Sequence, residues 1–158
     1  MDQNKDMKTV VLGLGNPILC DDSVGIRIAR ELENRIPSID AVEAAAAGFR
    51  VMDQIIGYER LVMIDSVKTG TQQPGYLHEF SVDQFRTEVH LTSPHDMNFF
   101  DALAVYKKRG EKVPSVIEIF GIEVSRTDIF SETCTDSVEA AIPGITENIC
   151  NRILNPKS

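Results

Sequence analysis

The stretch Val10-Val11-Leu12-Gly13-Leu14-Gly15-Asn16-Pro17-Ile18-Leu19-Cys20-Asp21-Asp22-Ser23-Val24-Gly25 runs from an apolar strand through a glycine turn into a helix, and it carries two adjacent carboxylates through that turn. A strand, tight turn and helix in this order belong to a parallel α/β sheet, where ligands collect at the carboxyl edge of the strands. The feature therefore constrains the fold and the place of the site together. It has two glycines of a dinucleotide-binding turn but lacks the third. Asp21 and Asp22 also put negative charge where a pyrophosphate would have to sit. A metal cation suits this turn better than a phosphate.

The rest of the chain alternates in the same way. Lys8–Gly13 reads as a buried strand. Ser23–Ile36 reads as a helix with Val24, Ile28, Leu32 and Ile36 in one stripe, ended by Pro37. Ile39–Ala45 is a second strand, and Gly48 opens a short helix to Ile56 with Gly57 as its C-cap. Arg60–Ser66, with Leu61-Val62-Met63-Ile64, has the continuous apolar character of a central parallel strand. Tyr76–Ser81 reads as an edge strand, and Ser93 to Lys108 as a helix. Ser115–Val124 is a last strand, and Ser137–Leu154 a terminal helix broken at Pro143-Gly144. The expectation is one domain over residues 1–158: a three-layer α/β/α sandwich around a five-stranded sheet, mostly parallel or mixed.

Acids outnumber bases 24 to 16, for a net charge of -8. A nucleic-acid surface needs the opposite balance, so no nucleic-acid partner is expected. No apolar run is long enough to span a bilayer, and Met1-Asp2-Gln3-Asn4-Lys5-Asp6 lacks the pattern of a secretory signal, so no membrane partner is expected either. Cys20, Cys134 and Cys150 are an odd set without C-x-x-C spacing, which points to reduced thiols and a cytoplasmic location.

Asp22 follows the first strand and Asp65 ends the third. In a doubly wound sheet these strands are commonly neighbours, and the crevice between their carboxyl ends is the usual ligand site. A third candidate is His95, in Ser93-Pro94-His95-Asp96. Ser93 as N-cap, Pro94 at the first helical position and Asp96 closing a capping box put His95 in a first helical turn, where the dipole favours neutral imidazole. Two carboxylates and a neutral imidazole, with a position left open, match a catalytic divalent transition-metal site. Each residue also has a plainer role. Asp21 or Asp22 can be an N-cap, although one cap suffices. Asp65 can cap a turn, and His95 can be a surface residue. His78 falls in the edge strand, and His90 has no evident partner. Cys20 reads as a buried small hydrophobe, and Cys134 and Cys150 belong to no nucleophile constellation. Arg50 and Arg126 can hold a substrate carboxylate or simply serve solubility.

Five blocks occur in order: Val11-Leu12-Gly13-Leu14-Gly15-Asn16-Pro17 through Asp21-Asp22 and Gly25; Val62-Met63-Ile64-Asp65; Ser93-Pro94-His95-Asp96; Glu118-Ile119-Phe120-Gly121-Ile122-Glu123; and Ser137-Val138-Glu139-Ala140-Ala141-Ile142-Pro143. With them the chain resembles the nickel–iron hydrogenase maturation endopeptidases over nearly its whole length. That resemblance implies a cytoplasmic protease that removes a short C-terminal extension from a hydrogenase large-subunit precursor once nickel has been loaded. By motif position the metal-contacting residues would be Asp22, Asp65 and His95. The nickel would be supplied by the precursor, with zinc or cadmium able to substitute. Ser23 stands where a smaller apolar residue or glycine is commoner, and Arg126–Cys134 fits the family pattern poorly.

No Ser-His-Asp or Cys-His arrangement is evident, so metal-assisted hydrolysis is expected rather than a covalent acyl-enzyme. Asp21 would then orient a ligand or cap a helix. Two rivals stay open. A peptidyl-tRNA hydrolase opens with a similar Gly-Leu-Gly-Asn-Pro, but it needs a histidine soon after, where Asp21-Asp22 stands. A non-enzymatic Rossmann-type binding module would use the Gly13–Gly15 turn for phosphate, which the neighbouring acids oppose.

Overall fold

The computed structural model describes residues 7–45, 49–89, 99–125 and 134–156. β1 (Thr9–Leu14) leads through a 3-10 turn (Cys20–Ser23) into α1 (Val24–Arg35), and β2 (Asp40–Ala44) into α2 (Phe49–Ile55). Then come β3 (Arg60–Val67), β4 (Leu77–Phe80), a short α3 (Val82–Gln84) continued by a π-helical stretch (Phe85–Val89), α4 (Phe99–Lys108), β5 (Val116–Glu123) and α5 (Asp136–Leu154). The sheet order is β2-β1-β3-β5-β4. All pairs are parallel except β4 with β5, at one edge. This is the expected α/β sandwich with a mostly parallel sheet.

Strand alternation splits the core into two layers. Val11, Val62, Ile64, Phe120 and Ile122 pack on Val24, Ile28 and Leu32 of α1 and on Val138, Ile145 and Ile149 of α5. Val10, Leu12, Leu14, Leu61, Met63 and Ile119 pack on Val51, Met52 and Ile55 of α2 and on Phe99 and Ala102 of α4. β1 and β3 are buried along their whole length, as their unbroken apolar runs require. At the opposite end of the sheet from the glycine turn, Arg60 is 2% exposed. Its guanidinium donates to Glu118 and to the carbonyls of Arg152 and Ile153, tying the end of α5 to the start of β3.

Two elements differ from the sequence expectation. The terminal helix is not broken at Pro143-Gly144 but runs from Asp136 to Leu154 with Pro143 inside it. A mid-helix proline costs about 3 kcal/mol. Val138, Ile145, Ile149 and Ile153 stay in phase across it and are all buried, each worth about 1.5–3 kcal/mol. Packing on the sheet outweighs the break. The second difference is α3, which was not anticipated. Its capping box is formed by Ser81 and Gln84, whose side chains each accept from the other's backbone N–H. Of the expected helix over Ser93–Lys108, the part from Phe99 is described. Ser93, Pro94, His95 and Asp96 lie outside the described residues, as do His90 and Arg126.

Candidate active site

The β1–β3 junction is where chain direction across the sheet reverses: β2 lies on one side of β1 and β3 on the other. Gly13 of β1 pairs with Ile64 of β3, so the turn after β1 and the acid after Ile64 leave the sheet side by side. Two close approaches hold the turn there. Gly15 has φ +143°, and a Cβ on it would lie 1.9 Å from the Asp22 carbonyl oxygen. A Cβ on Gly25 would lie 2.4 Å from the Ile64 carbonyl oxygen and 2.8 Å from that of Leu14, so α1 starts directly on the ends of both strands.

Inside the turn the backbone is closed by its own bonds. The Asn16 side-chain oxygen accepts from Ile18 N–H at 3.1 Å. Asp22 N–H donates to Leu19 O at 2.8 Å, and the Ser23 hydroxyl to Cys20 O at 2.8 Å. Cys20 takes φ +35°, the left-handed region that non-glycine residues seldom occupy.

Asp22 is 5% exposed and Asp65 is fully buried. Asn16 N–H donates to Asp22 Oδ2 at 3.1 Å, and the Ser66 hydroxyl to Asp22 Oδ1 at 2.9 Å. Ser66 N–H donates to Asp65 Oδ1 at 2.8 Å. One residue thus joins the two carboxylates, its side chain holding Asp22 and its backbone holding Asp65. Ser66 was not singled out from the sequence, although strand parity offers a signal. It follows Asp65 in an extended strand, so its side chain turns to the opposite face, the one α1 covers. Asp65 shares its parity with Leu61 and Met63, on the face covered by α4, which His95 precedes in the chain.

The adjacent acid does other work. Asp21 Oδ1 accepts from Thr135 N–H at 2.7 Å, and Oδ2 accepts from the Thr135 hydroxyl at 2.9 Å. Thr135 is the N-cap residue of α5. Asp21 therefore places a carboxylate at the start of a helix distant in sequence, where the dipole favours it. The N-cap position of α1 is Ser23, not either aspartate, and Ser23 makes no side-chain cap bond. Of the two roles open to Asp21, helix capping is the one observed, on α5.

His78 is also accounted for. Its Nε2 lies 2.9 Å from Glu123 Oε1, and its ring stacks on Phe80 at 5.2 Å. Glu123 is 2% exposed. Burial alone would push its carboxyl up, but bonds from the Thr69 hydroxyl, His78 and the Gly70 and Thr69 N–H groups outweigh this and hold it below the usual carboxylate range. The cluster fixes the loop that leaves β3 after Val67. Burial pushes the Cys20 and Cys134 thiols up, so neither is primed as a nucleophile. Arg50 is exposed on α2.

Two buried carboxylates, each bonded to Ser66, are hard oxygen donors of the kind divalent cations take. Among the described residues no set of three histidine, cysteine, aspartate or glutamate side chains is placed to hold a metal ion. The third expected ligand, His95, lies outside them.

The chain matches the family model of hydrogenase maturation proteases over residues 26–152, a span that contains Asp65 and His95 and begins just after Asp22. It is 27% identical over 122 residues to the hydrogenase 2 maturation protease of Escherichia coli, covering 73% of each chain. Its fold is similar to that of the hydrogenase maturating endopeptidase HybD from E. coli (TM-score 0.76, 23% identity, 90% of each chain). It is also similar to the nickel–iron hydrogenase maturation protease HybD from Thermococcus kodakarensis (TM-score 0.72, 25% identity, 90% of this chain and 97% of that one).

Proposed function

The chain belongs to the hydrogenase maturation protease family, and from that premise we propose that it is a cytoplasmic, metal-dependent endopeptidase that removes a C-terminal extension from a nickel-loaded hydrogenase large-subunit precursor. The observation that carries the site assignment is Ser66, which joins Asp22 and Asp65 at the carboxyl edge of the β1–β3 junction. The family membership disfavours the two rivals, an esterase acting on peptidyl-tRNA and a phosphate-binding module. No helix among the described residues is long and apolar enough to cross a membrane.

Asp22, Asp65 and His95 are the residues proposed to engage the nickel that the precursor brings, with zinc or cadmium as substitutes. Held by these residues, nickel would supply Lewis acidity for hydrolysis of the peptide bond. Asp22 and Asp65 contribute negative charge from rigid elements. A precursor lacking nickel brings these two acids no cation to engage, so it docks poorly and escapes cleavage. The Ser66 hydroxyl and the Asn16 N–H keep the Asp22 carboxylate aimed. Burial of both acids keeps water from screening their charge.

The test is cleavage of nickel-loaded precursor by Asp22→Asn, Asp65→Asn and His95→Ala proteins of normal melting behaviour. The expected result is loss of cutting in each, and no cutting of nickel-free precursor by the wild type. Near wild-type rates from all three variants would remove the site assignment.

A further inference from the structure

Ser23 and, along α1, Ile26, Arg27 and Arg30 follow one another at helical spacing. With Pro17 and Ile18 opposite, they line an open groove of about 380 Å³. The Pro17–Ile18 wall belongs to the same turn that holds Asp22, and Ser23 directly follows Asp22, so the groove borders the turn that carries this acid. From Ser23 to Arg30 a helix advances about 10 Å, the length of about three residues of extended chain.

The lining has two kinds of surface. Pro17 and Ile18 form the accessible apolar wall over Ile26, which is buried, and Ile18 is 51% exposed, one of only four large hydrophobics classed as exposed among the described residues. Arg27 and Arg30 supply two guanidinium groups in a chain of net charge -8. Their present partners differ. Arg27 is half-buried, bonded twice to Glu139 and once to Cys134 Sγ at 3.3 Å, and is fixed in place. Arg30 pairs with Glu43 of β2 in the open, its side chain 58% exposed. Both oxygens of Glu43 are engaged, yet the pair lies in solvent, where screening leaves Arg30 able to exchange it for another carboxylate.

We propose that this groove is a docking subsite for an extended segment of the precursor beside the bond that is cut, with an apolar side chain on Pro17 and Ile18 and a carboxylate side chain on Arg30. The proposal rests on the protease reading above and adds the chemistry of the segment recognised. Charge complementarity and continuity with the Asp22 turn select the occupant: a peptide of about three residues carrying one acid and one apolar side chain.

The experiment is steady-state cleavage of nickel-loaded large-subunit precursor by the full-length protein, its Arg30→Glu and Ile18→Asp variants, and Asp65→Asn as control. Arg30→Glu and Ile18→Asp are each expected to raise KM about tenfold with kcat within about twofold of wild type. Changing one acidic residue of the precursor near the cleavage point to lysine is expected to restore KM for Arg30→Glu and to weaken binding to wild type. If Asp65→Asn is inactive while both groove variants keep KM within about twofold, the groove proposal is overturned and the protease reading stands. If Asp65→Asn cuts normally, the site reading fails and the groove proposal fails with it.

Discussion

Replacing Ser66 by alanine deletes one hydroxyl and leaves the backbone N–H that serves Asp65 untouched, so it isolates the link to Asp22. That hydroxyl donates at 2.9 Å to Asp22 Oδ1, on a side chain 5% exposed. A hydrogen bond to a charged group is worth about 1.5–3 kcal/mol, and leaving the acceptor buried charges its desolvation in full. For a domain of this size each kcal/mol moves the melting temperature by about 2–4 °C, so Ser66→Ala is expected to melt on the order of 3–12 °C lower. With one of the bonds that aim Asp22 removed, cleavage of nickel-loaded precursor at 25 °C, where the variant remains folded, is expected to fall by about tenfold or more. Calorimetry and a gel-based cleavage assay read the two effects separately. Should Ser66→Ala melt within about 1 °C of wild type and cut at the wild-type rate, Ser66 does not orient Asp22 and the coupling argument is wrong.

Two further outcomes follow from the same geometry. Asp21→Ala breaks both bonds to Thr135 and is expected to cost about 1–3 kcal/mol in urea denaturation, yet to retain cleavage at temperatures where it is folded; complete loss of cutting by a folded Asp21→Ala would move Asp21 into the reacting site. Acid stability is expected to depend on Glu139, whose carboxyl is held below the usual 4.5 by the Arg27 guanidinium against the opposing effect of burial. A carboxyl lowered on folding contributes fully above the unfolded value and loses its contribution as pH falls through the folded one. Melting temperature should therefore drop below about pH 4.5, less steeply for Glu139→Gln than for wild type; parallel curves for the two proteins contradict this.

Much of the fold was legible because the decisive signals are local. The unbroken apolar runs of β1 and β3 mark central parallel strands, and a doubly wound sheet sets such strands side by side, which brings Asp22 and Asp65 to one edge. What escaped depends on contacts that no local pattern encodes. Asp21 reaches Thr135 because α5 packs beside α1, and an acid preceding a helix looks the same whichever helix it serves. The His78–Glu123 pair needs the antiparallel register of β4 on β5, where His78 lies opposite Gly121, and single-strand periodicity does not supply a register. Pro143 reads as a break until the buried stripe on either side of it is weighed against the one bond it removes. Ser66 was within reach, since alternation alone turns it from Asp65 toward α1.

The convergence of Asp22, Asp65 and His95 on one cation is tested most directly by a crystal of the wild-type protein soaked in cadmium and measured for anomalous scattering. The account predicts one strong peak in contact with both carboxylates and the His95 imidazole, lost in Asp65→Asn. A peak on other residues, or His95 turned away from the two acids, would contradict it.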